Sequence, residues 1–85
     1  MDTRVAVIAI IVTNPDSVRK VNDLLHEKAE YIIGRMGIPY KEKGISIISV
    51  AIDAPQSIIS GLSGQIGRLS GVSTKTAYSN IVTHE

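Results

Sequence analysis

The chain has no cysteine, tryptophan or phenylalanine, and three tyrosines are its whole aromatic complement. Without cysteine there is no disulfide framework, no thiolate metal site and no thiol nucleophile. The core must therefore be aliphatic, built from Ile, Val and Leu. Long apolar runs are also missing. The stretch from Val5 to Val12 is far shorter than the roughly 20 residues that span a bilayer. Asp2 precedes it and Asn14, Pro15 and Asp16 follow it, in place of a basic start and a small-residue cleavage site. It reads as a buried strand, and no membrane association is expected. Charge of one sign is lacking too. The formal net charge is +1 and charges of both signs are scattered along the chain, so no basic stripe is available to neutralise phosphates. Direct nucleic-acid binding is not expected, and the cytoplasm is the expected compartment.

What is present is 85 residues, 44% of them hydrophobic. That is enough for one domain, residues 1–85, near the size at which roughly 60% of the unfolded surface is buried on folding. Val5–Val12 is β-branched apart from two alanines, which predicts a strand buried on both faces. Asn14 as a cap, Pro15 and Asp16 predict a helix start. Val18, Val21, Leu25 and Ala29 then recur at helical spacing, with Leu24 beside them, giving an amphipathic helix over 15–29. Residues 31–39 predict a second strand that loosens at its glycines, and Lys41–Gly44 a charged hairpin loop. In a third strand, 45–52, Ile48, Val50 and Ile52 form one row and Ile45, Ile47, Ser49 and Ala51 the other. Asp53-Ala54-Pro55 repeats the helix-start signal. Ile58, Ile59, Leu62, Ile66 and Leu69 mark a second helix ended by Ser70-Gly71, and residues 72–82 alternate as a last strand.

The order β-α-β-β-α-β with right-handed crossovers predicts an α+β, ferredoxin-like fold: a four-stranded antiparallel sheet with two helices on one face. The other face has no cover of its own. Along the first strand, Val5, Val7, Ala9 and Ile11 point one way and Ala6, Ile8, Ile10 and Val12 the other, so neither row is polar. Leaving about four such side chains in water forgoes about 1.5–3 kcal/mol each, comparable in sum with the roughly 5–15 kcal/mol that stabilises a whole domain. Homo-oligomerisation through the open sheet face is the expectation.

Few residues suggest chemistry. Gly61, Gly64 and Gly67 weaken the second helix by up to about 1 kcal/mol each. They lie inside the periodic segment, not in a strand-to-helix turn, so close helix packing is the preferred reading over a phosphate loop. No metal site is predicted. His26, near Glu27 and Glu30, and His84 are weak candidates, whose alternative is a metal-responsive module sharing histidines between subunits. No nucleophile elbow or carboxylate pair supports an enzyme, and no catalytic residue or cofactor is identified. The most unusual stretch is Gly34-Arg35-Met36-Gly37, where two glycines and an arginine interrupt an apolar strand. It reads either as a bulge with an exposed Arg35, or as a ligand or subunit contact in which Arg35 grips a carboxylate or phosphate in forked geometry. Asn14, Gly34, Arg35, Met36 and Gly37 are the candidate binding residues.

Three segments, Tyr31-Ile32-Ile33-Gly34-Arg35-Met36-Gly37-Ile38-Pro39-Tyr40, Asp53-Ala54-Pro55 and Lys75-Thr76-Ala77-Tyr78-Ser79, carry a family likeness. Together they resemble the iron-only hydrogenase system regulators of anaerobic bacteria, small ACT-like proteins, over nearly the whole chain. The resemblance implies a regulatory, ligand-sensing role linked to the iron-only hydrogenase system, through a small-molecule or protein partner, and no catalytic residues. At the level of fold the element order is similar to amino-acid-binding ACT domains and to the ligand-binding domain of nickel-responsive repressors. The turn Thr13-Asn14-Pro15-Asp16 lacks the glycine usual in the former. With no cysteine, only two histidines and no residues among the 85 to spare for a DNA-binding ribbon, nickel sensing by the mechanism of the latter is not expected.

Overall fold

The computed structural model describes residues 2–84, with side chains through Ile81. Strand β1 (Asp2–Val12) leads through a short 3-10 turn, Pro15–Ser17, into helix α1 (Val18–Glu27); β2 (Ile32–Tyr40) and β3 (Ile45–Ala54) follow, then α2 (Gln56–Gly67) and β4 (Val72–His84). The sheet order is β2-β3-β1-β4 with every pairing antiparallel. This is the expected ferredoxin-like arrangement.

The two-sided apolarity of β1 is resolved by what lies against each row. Ala6, Ile8, Ile10 and Val12 are buried with Ile48, Val50, Ile52 and Ala54 of β3. Val21 and Leu25 of α1 and Ile59, Leu62 and Ile66 of α2 close that core from the helix side. On the opposite face Val5, Val7, Ala9 and Ile11 lie beside Ile45, Ile47, Ser49 and Ala51, and no part of the described chain crosses over them.

The helix starts differ. Asn14 Oδ1 accepts from the Asp16 N–H at 3.0 Å, as its cap role requires, but the segment it caps is a 3-10 turn before the α-helix begins at Val18. Asp53 does not repeat that role. It stays in β3, and Pro55 occupies the cap position without a side-chain hydrogen bond, its carbonyl accepting from Ile58 and Ile59 at 3.0 and 3.2 Å. The α2 glycines correct the packing expectation in part. A Cβ on Gly61 would meet nothing within 4 Å and one on Gly64 only the mobile end of Arg68, at 3.4 Å, whereas one on Gly67 would stand 3.2 Å from Thr74 Oγ1. Close approach thus accounts for Gly67 alone.

Candidate functional site

β2 is an edge strand, and its side chains divide between the two faces of the sheet. Register with β3 shifts between Ile32 and Gly34, leaving Ile33 at the irregularity and 64% exposed. Beyond the shift Arg35, Gly37 and Pro39 pair with Val50, Ile48 and Ser46, the row that faces the helices. Gly34, Met36, Ile38 and Tyr40 pair with Ala51, Ser49, Ile47 and Ile45, the row on the open face. The bulge expected from the sequence lies in this strand. The bulge decides which face receives Arg35.

On the helix side, a cleft of about 280 Å³ opens between α1 and the β2–β3 edge. Val18 and Asn22, one turn apart on α1, form one wall; Arg35, Gly37 and Pro39 form the other, over Ser46 and Ile48. Arg35 Nη2 donates to Asn22 Oδ1 across it. A guanidinium has no acceptor, so this contact fixes the amide with its oxygen toward Arg35 and leaves Nδ2 as the group to offer elsewhere. On the open face, a shallower depression of about 360 Å³ runs over Gly34, Arg35, Met36, Ser49 and Ala51.

Of the candidates, Arg35 and Gly37 meet in the helix-side cleft, while Gly34 and Met36 join Arg35 at the depression on the other face. Asn14 joins neither. Its Nδ2 donates to Ser70 Oγ at 3.2 Å, and Thr13 N donates to the Gly71 carbonyl at 2.7 Å, so this turn clips α1's entry to the α2–β4 connection. Ser17, buried beside it, donates to the Ser70 carbonyl at 2.6 Å. His26 is exposed in the last turn of α1, and the His84 side chain lies outside the described residues. Among the described residues no group of three or more His, Asp or Glu side chains gathers into a metal-binding cluster.

Asn22 and Ser46 belong to the cleft and were not singled out by the sequence. The available signal was polarity out of place: Ser46 opens the otherwise apolar row Ile48, Val50, Ile52, and Asn22 follows Val18 by one helical turn.

The model of a TM1266-like family, described as "Iron-only hydrogenase system regulator, putative", matches residues 4–76. The chain belongs to this family. The iron-only hydrogenase system regulator match includes the whole of β2 and both walls of the cleft. Among solved structures, uncharacterized protein TM1266 from Thermotoga maritima is 35% identical over 89% of this chain and 96% of its own, with a TM-score of 0.85. The C-terminal domain of the MgtC protein from Mycobacterium tuberculosis (10% identity, 96% and 94% coverage, TM-score 0.72) shares the fold. So does a protein described as a putative glycine cleavage system transcriptional repressor, at 17% identity and TM-score 0.69, where this chain covers 49% of the longer partner and 98% of itself. Comparison with curated proteins returns no match. No helix among the described residues is long and apolar enough to cross a membrane.

Proposed function

We propose that this member of the regulator family is a single, cytoplasmic ACT-like domain that acts without catalysis. It works as a homo-oligomer through the open sheet face and senses a small molecule or a protein partner at the β2 segment. The observation that carries this reading is the composition of the open face. Val5, Val7, Met36, Ile38 and Tyr40 are each between 39% and 53% exposed, next to the partly covered Ile11, Ile45 and Ile47. An apolar surface continuous over three strands is the kind that a soluble protein covers with a partner. Because the described residues supply no cover, a second copy presenting the same face in two-fold symmetry is the simplest one.

Family membership supports the hydrogenase-linked regulatory setting, and the open depression over Gly34 and Met36 would then be completed by the second copy. Light scattering at micromolar concentration tests the assembly, and a monomer there would overturn it. Thermal-shift measurements with amino acids, nucleotides and divalent cations test the sensing role, since a ligand that binds the folded state raises Tm by mass action. A divalent-cation response lost on replacing both histidines by alanine would favour metal sensing instead.

A further inference from the structure

We infer that the cleft between α1 and the β2–β3 edge binds a small monocarboxylate that carries a compact aliphatic body and no amino group. The inference rests on the proposed role of the β2 segment in ligand sensing and adds the class of ligand and the residues that would select it.

The chemistry of the lining carries the argument. Every polar side chain that lines the cleft offers a donor: the Arg35 guanidinium, the Asn22 amide and the Ser46 hydroxyl. Asn22 Oδ1 accepts from Arg35, which turns the amide's Nδ2 donor away from the guanidinium. Asn22 Nδ2 and Ser46 Oγ have no hydrogen-bond partner among the described residues. A fixed guanidinium fork with two further donors matches a group that only accepts, and a carboxylate is the planar one. Among the described residues no Asp or Glu lines the cleft, and Arg35 is its one cation. The site therefore balances a single negative charge. A zwitterionic amino acid would bring an ammonium with no carboxylate to meet it, and a phosphate dianion would bring more charge than one guanidinium neutralises.

Size and polarity complete the selection. Apart from Gly37, the rest of the lining, Val18, Ile38, Pro39 and Ile48, is aliphatic and suited to a branched hydrocarbon. At about 280 Å³ the cleft lies just below the usual range for ligand pockets, roughly 300–1,000 Å³, so the body must be short. Gly37 keeps that room: a Cβ there would touch nothing within 4 Å, so no neighbour demands glycine, and a larger residue would occupy the space of the ligand.

The test uses the full chain and four probes, isovalerate, 2-oxoisovalerate, valine and methyl phosphate, followed by titration calorimetry and by backbone amide shifts. Both amine-free carboxylates should bind and move the amides of Asn22 and Gly37, with valine and methyl phosphate at least about tenfold weaker. Arg35→Gln should weaken isovalerate about tenfold or more, the scale of a lost charge-assisted contact. Gly37→Val should abolish binding while the melting temperature stays near that of the parent. No binding by either carboxylate, equal binding of valine, or binding that survives Arg35→Gln would each overturn the assignment. Light scattering on the same samples reads the assembly separately. A monomer that still binds isovalerate through Arg35 would sink the oligomer reading and keep this one; an oligomer that ignores all four probes would do the reverse.

Discussion

Gly44 and Gly71 both hold positive φ, at 65° and 69°, yet their surroundings differ. Around Gly44, which closes the β2–β3 hairpin after Lys41–Lys43, a Cβ would find open space. Around Gly71 it would stand 2.8 Å from both Asn14 Cβ and Thr13 Oγ1 and 2.9 Å from the Asn14 nitrogen. Gly44→Ala should cost only the left-handed strain, about 1 kcal/mol. Gly71→Ala adds an overpacking term against backbone that cannot swing aside, for a total of about 2–4 kcal/mol. Thermal unfolding followed by circular dichroism at one protein concentration should show Gly71→Ala lowering Tm by roughly 10–20 °C and Gly44→Ala by about 4–8 °C. Equal losses would mean that the clip between residues 13–14 and 70–71 is not rigid. Arg4 poses a different single-residue case. Its guanidinium donates to the Ser79 carbonyl at 2.8 Å and to Gln56 Oε1 at 3.2 Å and lies 4.8 Å from the Tyr78 ring centroid. It thereby ties β1 to β4 where their register shifts, and to the start of α2. Arg4→Met keeps the stem and loses these donors, and a drop of about 1–3 kcal/mol in urea unfolding is expected.

At the scale of elements, the α2 glycines separate intrinsic helix preference from packing. Gly61→Ala fills open space on the helix and should raise stability by up to about 1 kcal/mol, because alanine loses less backbone freedom on folding. Gly67→Ala, close to Thr74 Oγ1, should gain less or lose, and differential scanning calorimetry on the pair ranks them. A Gly61→Ala protein that melts lower than the parent would restore the close-packing explanation. Much of the fold was legible because period and punctuation agreed: β1 apolar on both faces, Asn14 before Pro15, and the row Ile48, Val50, Ile52 all sit where their spacing put them. The site was less legible, for a physical reason. Alternation along a strand assigns faces only while register is continuous, and the irregularity at Ile33 resets it, so no count from Tyr31 could show that Arg35 turns toward α1. Asn14 was legible in its other role. A polar residue in a turn before a helix is the mark of a cap, and its Oδ1 accepts from the Asp16 N–H as one, while its Nδ2 donates to Ser70 Oγ.

For the whole molecule, a sheet covered on one side means that the proposed assembly would draw on the same strands as the fold. Val7 stands at the centre of the open face, opposite Ala51 of β3 and Ala77 of β4, and is 42% exposed. A lysine there leaves the buried row Ala6, Ile8 and Ile10 untouched but places a charge in the middle of the proposed contact, where two-fold symmetry would set it near its own copy. Val7→Lys should therefore convert the oligomer to monomers in light scattering while the far-ultraviolet circular dichroism spectrum is kept. Gln65→Lys, on the exposed outer side of α2, should leave the mass unchanged. Unfolding provides a second readout, since an oligomer gains stability with concentration and a monomer does not. The parent's Tm should rise between about 5 and 500 μM chain, whereas that of Val7→Lys should stay flat. A parent Tm independent of concentration, together with a monomeric mass, would show that the aliphatic face stands in water unpartnered and that the helix-side core alone holds the fold.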